Sequence, residues 1–381
     1  MHYFIIAGEA SGDLHASNLI SQLRQADPLA SFSFLGGDRM AQAAGSEPIV
    51  HYRDMAYMGF SEVLRNMSKI SANLKLAKKS LKTLRPDCLI LVDYPSFNLK
   101  VAATAVKEQI PVYYYISPKI WAWKKWRIRD IKRMVRRVFS ILPFEPQFYR
   151  DNGFDATYVG NPSVAEIDQK LALALPRAEF LEKHKLRDRP LVALLPGSRR
   201  GEIRNNLPIM SQAIAQFPQY RGVIIGAPGF DDNFYQQSGA NNLPVLHPHD
   251  AAEVLVHCRA ALVTSGTATL ECALAAVPQV VTYRANGSKL SFEIMRRLLS
   301  VEFVSLPNLI VEKQIIPEQL LHNCTPDLVA TQLRPLLREN SPERLAQLEG
   351  YEMMRQQLGT SDAAFNTAKF IIEDLNAIRQ G

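Results

Sequence analysis

A carboxylate at the end of an apolar run is the first feature of this chain with the makings of a catalyst. Asp93 follows Cys88-Leu-Ile-Leu-Val92, a run typical of a strand buried on both faces, and precedes Tyr94-Pro95. Partial desolvation there would raise its pKa and poise it as a general base; an Asp that only caps the following turn would use the same position. Glu9 and Asp13 sit in Gly8-Glu-Ala-Ser-Gly-Asp13, just after the first strand-like run, Tyr3 to Ala7. Glu9 is a second candidate acid. Asp13 also suits a helix cap.

Two further stretches suit an anion. Thr264-Ser-Gly-Thr-Ala-Thr-Leu-Glu271 follows the apolar run Ala260 to Val263 and leads into a helix-like run. A small-residue turn at a helix start exposes unpaired N–H groups, and the helix dipole favours negative charge there. The same residues would serve as a plain Ser/Thr N-cap. Glu271, on the first turns of that helix, could accept hydrogen bonds from ribose hydroxyls. Pro196-Gly-Ser-Arg-Arg200 also follows a strand-like run and offers N–H groups and guanidinium, which pairs with phosphate in a bidentate way. Two such loops on one crevice suggest a nucleotide diphosphate. No GxxxxGK[ST] occurs, and the loop at Gly8 lacks the GxGxxG spacing. Asn308, ending Val304-Ser-Leu-Pro-Asn308, has an amide that both donates and accepts. His247-Pro-His249 has no third ligand close in sequence, so no metal site is expected.

A third stretch suits a surface. Trp121, Trp123 and Trp126 are the only tryptophans, and from Lys119 to Arg137 there are nine basic residues and one acidic, Asp130. A basic amphipathic segment with aromatic anchors fits an anionic membrane or lipid headgroup. It also fits nucleic acid, or a core-facing helix with a solvated basic face. A second apolar and basic patch joins Met55, Met58, Phe60 and Met67 to Arg65, Lys69, Lys75, Lys78, Lys79 and Lys82. Met-rich faces adapt to lipid chains.

The elements that must position these residues follow from pattern. The chain has 381 residues, 47% of them hydrophobic, which is enough for two cores. Strand-like and helix-like segments alternate in both halves, predicting an α/β fold with two parallel, Rossmann-like domains facing a cleft. The expected domains are 1–165, completed by a C-terminal helix at about 355–381, and 185–350, with the charged stretch up to Pro190 as linker. A helix is expected from about Gly59 to Leu84, and a long helical segment from Leu345 to Arg379. No run reaches the roughly 18 apolar residues of a membrane span, and Met1 to Ala7 lacks the pattern of a signal peptide. Four scattered cysteines fit a reducing, cytoplasmic setting. The net charge of +7 is modest, so where it lies matters more than its size.

Taken in order, these motifs resemble one family, the lipid A disaccharide synthases, inverting glycosyltransferases of the GT-B fold. The likeness spans essentially the whole chain. It is carried by Ala7-Gly-Glu-Ala-Ser-Gly-Asp13, Asp93-Tyr-Pro-Ser-Phe-Asn98, Ser117-Pro-Lys-Ile-Trp-Ala-Trp123 and Leu142-Pro-Phe-Glu145. Leu194-Leu-Pro-Gly-Ser-Arg199, Ser265-Gly-Thr-Ala268 with Glu271, and Ser305-Leu-Pro-Asn-Leu309 continue it. The resemblance implies UDP-2,3-diacylglucosamine as donor, 2,3-diacylglucosamine 1-phosphate as acceptor, and a β-1,6-linked disaccharide 1-phosphate plus UDP as products. It implies Asp93 as the base, with Glu9 beside it, and a UDP site made of Ser11, Gly197, Ser198, Arg199, Ser265, Gly266, Thr267, Ala268, Glu271 and Asn308. Trp121, Trp123, Trp126, Met58, Phe60 and Met67 would face lipid. No metal or cofactor is implied, since the UDP-sugar is a substrate. The partners would be lipid substrates at an anionic membrane surface and no nucleic acid, with a possible homodimer exchanging C-terminal segments. The protein would be cytoplasmic, peripheral on the inner membrane of a Gram-negative bacterium. Ser96 departs from the pattern, standing where some relatives carry a second acid. The alternatives are a same-fold UDP-sugar enzyme on another acceptor, or a non-catalytic membrane-peripheral binder of a phosphorylated ligand.

Overall fold

The computed structural model describes residues 1–55, 66–123, 125–284 and 302–380. Met58, Phe60 and the start of the helix expected from Gly59 lie outside them, as does the side chain of Trp123. The chain forms two compact units, Met1–Pro162 with Thr360–Gly381, and Ser163–Gly359.

The first unit is a seven-stranded parallel sheet. Its strands are β1 (His2–Ala7), β2 (Ser31–Gly36), β3 (Val50–His51), β4 (Cys88–Val92), β5 (Val112–Tyr115), β6 (Arg137–Ser140) and β7 (Ala156–Tyr158), in the order β3-β2-β1-β4-β5-β6-β7. Helices cover both faces, so the central strands are apolar throughout rather than alternating. Phe4, Ile6, Leu89 and Leu91 pack on one side with Val101, Ala102 and Ile131. Tyr3, Ile5 and Ile90 pack on the other with Leu19, Ile371 and Leu375. The last two belong to the C-terminal helix Ala363–Gln380. Buried Asp374 pins that helix, accepting from the Tyr113 hydroxyl at 2.6 Å and pairing with Arg136 and Arg137.

The second unit is a six-stranded parallel sheet of β8 (Leu191–Leu195), β9 (Arg221–Ile225), β10 (Val245–Leu246), β11 (Cys258–Val263), β12 (Gln279–Tyr283) and β13 (Glu318–Leu320), in the order β10-β9-β8-β11-β12-β13. Strand order therefore reverses between β1 and β4 in one sheet and between β8 and β11 in the other. Ligands of doubly wound sheets bind beyond the carboxyl ends of the strands at such reversals.

Two boundaries differ from expectation. The charged stretch before Pro190 is not a linker: it holds the helices Pro162–Ala172 and Arg177–Lys183, and the second puts Phe180 and Leu181 into the second core. The C-terminal helical pattern is two helices. Pro342–Leu358 belongs to the second unit and stops at Gly359, whose φ of +63° suits glycine. The next helix is started by Asp362, whose carboxylate accepts from the Ala364 and Phe365 amides at 2.9 and 3.0 Å. No helix among the described residues is long and apolar enough to cross a membrane.

Candidate active site

Asp93 stands one residue past β4, at a corner that the surrounding side chains force into shape. Asp93 and Tyr94 have φ of +44° and +45°, left-handed conformations that cost a non-glycine residue about 1–3 kcal/mol each. Several contacts hold them there. The Asp93 carbonyl accepts from the Tyr114 hydroxyl at 2.6 Å and the Asn98 amide at 2.7 Å. The Tyr94 hydroxyl donates to the Met55 carbonyl at 2.8 Å. The Tyr94 ring lies over Gly8, where a Cβ would sit 2.3 Å from it, so position 8 must be glycine. Pro95 then opens the helix Pro95–Lys107 with its φ already set. The corner leaves the Asp93 carboxyl half-buried. Desolvation raises its pKa above the usual carboxylate range, against the opposing field of Lys119.

β1 pairs with β4 in a register that sets Ala7 beside Val92, so the loop carrying Glu9 and the Asp93 corner share one edge at the strand reversal. Glu9 is half-buried at the start of the helix Ala10–Ala26, and Ser11 is exposed on its first turn. Asp13 is structural. Its buried carboxylate accepts from the amides of Gly37, Arg39 and Met40 at 2.7, 3.2 and 3.2 Å, capping the helix Asp38–Ala44.

In the second unit the register sets Leu195 beside Val263, so the two loops that follow β8 and β11 lie side by side. Between them is a pocket of about 420 Å³ lined by Gly197, Ser198, Arg199, Ser265, Gly266, Thr267, Ala268 and Glu271. The helix Thr267–Leu274 starts at the pocket with no acidic residue in its first turn and no side-chain cap, so its dipole faces the cavity. Gly266, at φ +154°, has no atom within 4 Å of where a Cβ would be, leaving its backbone open to close approach. Glu271 is half-buried, and burial raises its pKa.

Three residues here act differently from expectation. The Ser198 and Arg199 amides are not open to an anion, because both donate to the Glu202 carboxylate, at 3.1 and 3.3 Å. Glu202 is the third residue of the helix Arg200–Ala215 and completes a capping box. Arg199 also pairs with it at 3.2 Å, yet its side chain stays 68% exposed at the pocket rim. Asn308 does not line the pocket. It is fully buried, and its amide is saturated: the oxygen accepts from the Ile315 and Ile316 amides at 2.8 Å each, and the nitrogen donates to Ile316 O and Glu318 at 2.9 Å each. Glu318, which sequence reading passed over, also holds Ser305 through its amide and hydroxyl. Ser265 ties the anion turn to this assembly by donating to Val304 O at 2.8 Å.

The aromatic segment divides. Trp121 is not a surface anchor: it is buried, donates from Nε1 to Glu145 at 3.0 Å and meets Phe144 edge-on. Trp126 is 61% exposed and Met67 57%, while Met55 is buried. The helix Met67–Leu84 buries only Ala77 and Leu81, which leaves its lysines in solvent. His184, Asp250 and Glu253 bring possible metal-ligand atoms within 4.8 Å of one another. Lys183 Nζ already pairs with both acids, at 3.0 and 2.7 Å.

Two doubly wound parallel sheets, one with a poised acid at its strand reversal and one with an anion turn at the matching place, are the ingredients of a GT-B glycosyltransferase. The comparisons narrow the class. The family model described as lipid-A-disaccharide synthetase matches residues 3–368. The lipid-A-disaccharide synthase of Myxococcus xanthus is 40% identical over 376 residues, covering 97% of this chain and 96% of its own length. That of Acidobacterium capsulatum is 38% identical over 374 residues, covering 94% and 92%. The chain belongs to the lipid-A-disaccharide synthase family and is a glycosyltransferase of lipid A biosynthesis. Among solved structures, the UDP-GlcNAc 2-epimerase of Neisseria meningitidis superposes with a TM-score of 0.67 over 99% of this chain and 100% of that one, at 12% identity, a likeness of fold alone.

Proposed function

We propose that this protein transfers 2,3-diacylglucosamine from UDP-2,3-diacylglucosamine to the 6-hydroxyl of 2,3-diacylglucosamine 1-phosphate. The observation that supports this most directly is the Asp93 corner: a half-buried carboxyl, raised in pKa, held at a strand reversal by a backbone that strain would otherwise relax. Asp93 takes the proton of the acceptor hydroxyl as its oxygen attacks the anomeric carbon. The bond to the UDP oxygen breaks on the opposite side, its electrons passing to the diphosphate, so one displacement inverts the configuration and no covalent intermediate forms. The Ser265–Ala268 turn, its helix dipole and Arg199 stabilise the departing diphosphate, and Glu271 accepts from the ribose. The work is done at the cytoplasmic face of the inner membrane of a Gram-negative bacterium, with Trp126, Met67 and the lysines of Met67–Leu84 against the lipid.

The test is incubation of the purified protein with both substrates, reading UDP release and the disaccharide 1-phosphate by mass. Glu9 is the competing base. The Asp93→Asn variant should lose turnover while UDP still protects it thermally. Ordinary turnover by that variant removes Asp93 from this role, and UDP release without disaccharide removes the proposed reaction.

A further inference from the structure

Thr264 carries a hydroxyl that the protein does not use. It follows β11 directly, and its amide donates to the Leu195 carbonyl at 2.9 Å, extending the β8–β11 ladder to the edge of the cavity. The residue lines the pocket of about 420 Å³ and is 3% exposed, and its Oγ1 has no hydrogen-bond partner among the described residues. The neighbouring hydroxyls are accounted for. Ser265 donates to Val304 O and Thr269 to Gly266 O, each at 2.8 Å, while Thr267 is exposed to water. Burial without a partner does not by itself make a site, for the Thr282 hydroxyl on β12 shares it and does not line this cavity. Thr264 differs in standing at a wall that also presents an open glycine backbone and a helix N-terminus.

A hydroxyl taken out of water without a partner destabilises the folded chain. The protein bears that cost before any ligand arrives, so a ligand oxygen that reaches the hydroxyl gains a hydrogen bond with little further desolvation on the protein side. Such a bond is strongest to an ionised oxygen, and the helix dipole already favours one here. The cavity is also short of donors on its β8 side, where the Ser198 and Arg199 amides are taken by Glu202. We propose that Thr264 donates its hydroxyl to a diphosphate oxygen of the nucleotide, turning about its Cα–Cβ bond from the enclosed position to the cavity. The inference rests on the UDP-sugar reaction set out above and adds a residue to its leaving-group site. Charge builds on the diphosphate as the sugar departs, so the contact serves both binding and departure.

The experiment measures UDP affinity by calorimetry, and urea unfolding without ligand, in the wild type, Thr264→Val, Thr264→Ser and Thr282→Val. Valine matches threonine in shape and lacks the hydroxyl. Thr264→Val should unfold at the same or a higher urea concentration than the wild type, since it removes an unpartnered group, yet bind UDP about tenfold or more weakly. Thr264→Ser should keep most of the affinity, and Thr282→Val should repeat the stability result with the affinity unchanged. Should Thr264→Val fail to fold, Thr264→Ala also removes the hydroxyl and supplies the affinity comparison. Unchanged UDP affinity in the folded variant, or a loss that Thr264→Ser or Thr282→Val shares, overturns the inference and leaves the reaction standing. So does a Thr264→Val protein that unfolds more easily than the wild type, for the hydroxyl is then structural. A wild type that does not bind UDP overturns the reading of the pocket, and this inference with it.

Discussion

Glu145 is a buried acid that the proposed chemistry does not use, and it should make the first unit sensitive to pH. It is 1% exposed, at the start of the helix Glu145–Asp151. Burial pushes its pKa from 4.5 up to about 7, against the opposing hydrogen bonds of Trp121, Ser117 and the Leu142 amide and the charge of Lys119. In the unfolded chain the same group ionises near 4.5. Between these values the folded state binds the extra proton, so stability falls as pH rises through that window. The displacement amounts to about 3 kcal/mol, present below pH 4.5 and gone above about pH 7. Glu145→Gln removes the titration. Its side-chain oxygen can keep the Trp121 bond, while the weak 3.4 Å bond from the Leu142 amide is lost, at a pH-independent cost of about 1 kcal/mol. The stability difference between wild type and variant should therefore shift by about 3 kcal/mol between about pH 4.5 and pH 8, with the wild type favoured at the acid end. Other titrating groups are common to both proteins and cancel. Urea unfolding followed by tryptophan fluorescence is the assay, because Trp121, Trp123 and Trp126 all belong to the first unit and report it alone. Parallel stability curves for the two proteins would refute the reasoning.

Three further outcomes are expected. Arg199→Ala should weaken UDP binding by about 1.5–3 kcal/mol, the range for a hydrogen bond to a charged group; calorimetry that finds the affinity unchanged takes Arg199 out of the site. Asn308→Ala strips partners from two buried amides and from Glu318, so urea unfolding should show a loss of about 2–4 kcal/mol in the second unit. An Asn308→Ala protein of native stability that no longer binds UDP would return Asn308 to a ligand-contact role. Trp126→Ser should lower association with anionic liposomes at unchanged stability, whereas Trp121→Ser should destabilise the first unit; the reverse pattern would contradict the burial of Trp121.

The sheets were legible because their information is local. Central parallel strands read as short apolar runs, such as Cys88–Val92 and Leu191–Leu195, between helical periods, and the alternation dictates the layers. The small-residue turn after β11 was legible for the same reason, since it needs only residues next to one another in sequence. What failed was the orientation of side chains with two uses. An Asn amide grips a nucleotide or two buried backbone segments with equal chemistry, and only the fold reveals that Asn308 does the second. Trp121 and Trp126 are five residues apart in one basic segment, yet a buried acceptor at Glu145 draws one inward while the other stays exposed. Some signals were present and passed over: Glu202 three residues after Arg199 marks a capping box, and Gly359 followed by Asp362 marks a helix stop and a new start.

The two strand reversals place different demands on their corners, and the residue types follow from the difference. A diphosphate would need backbone N–H groups brought close with nothing in front of them, and the second corner, Ser-Gly-Thr, meets that need with a glycine that stands open. A general base needs a carboxyl held away from the water it prefers. A flexible glycine corner would let that carboxyl turn back to solvent. Asp93-Tyr94-Pro95 does the opposite: two left-handed residues that only a clamped backbone tolerates, fixed by Tyr114, Asn98 and the Gly8–Tyr94 contact. None of these partners need touch a substrate; Asn98 comes from the same short motif, while Tyr114 and Gly8 are brought to Asp93 by the fold. In the proposed reaction, strain at the first corner and openness at the second would thus be complementary solutions at equivalent positions of two similar sheets, one holding a carboxyl of raised pKa and the other open to a charge.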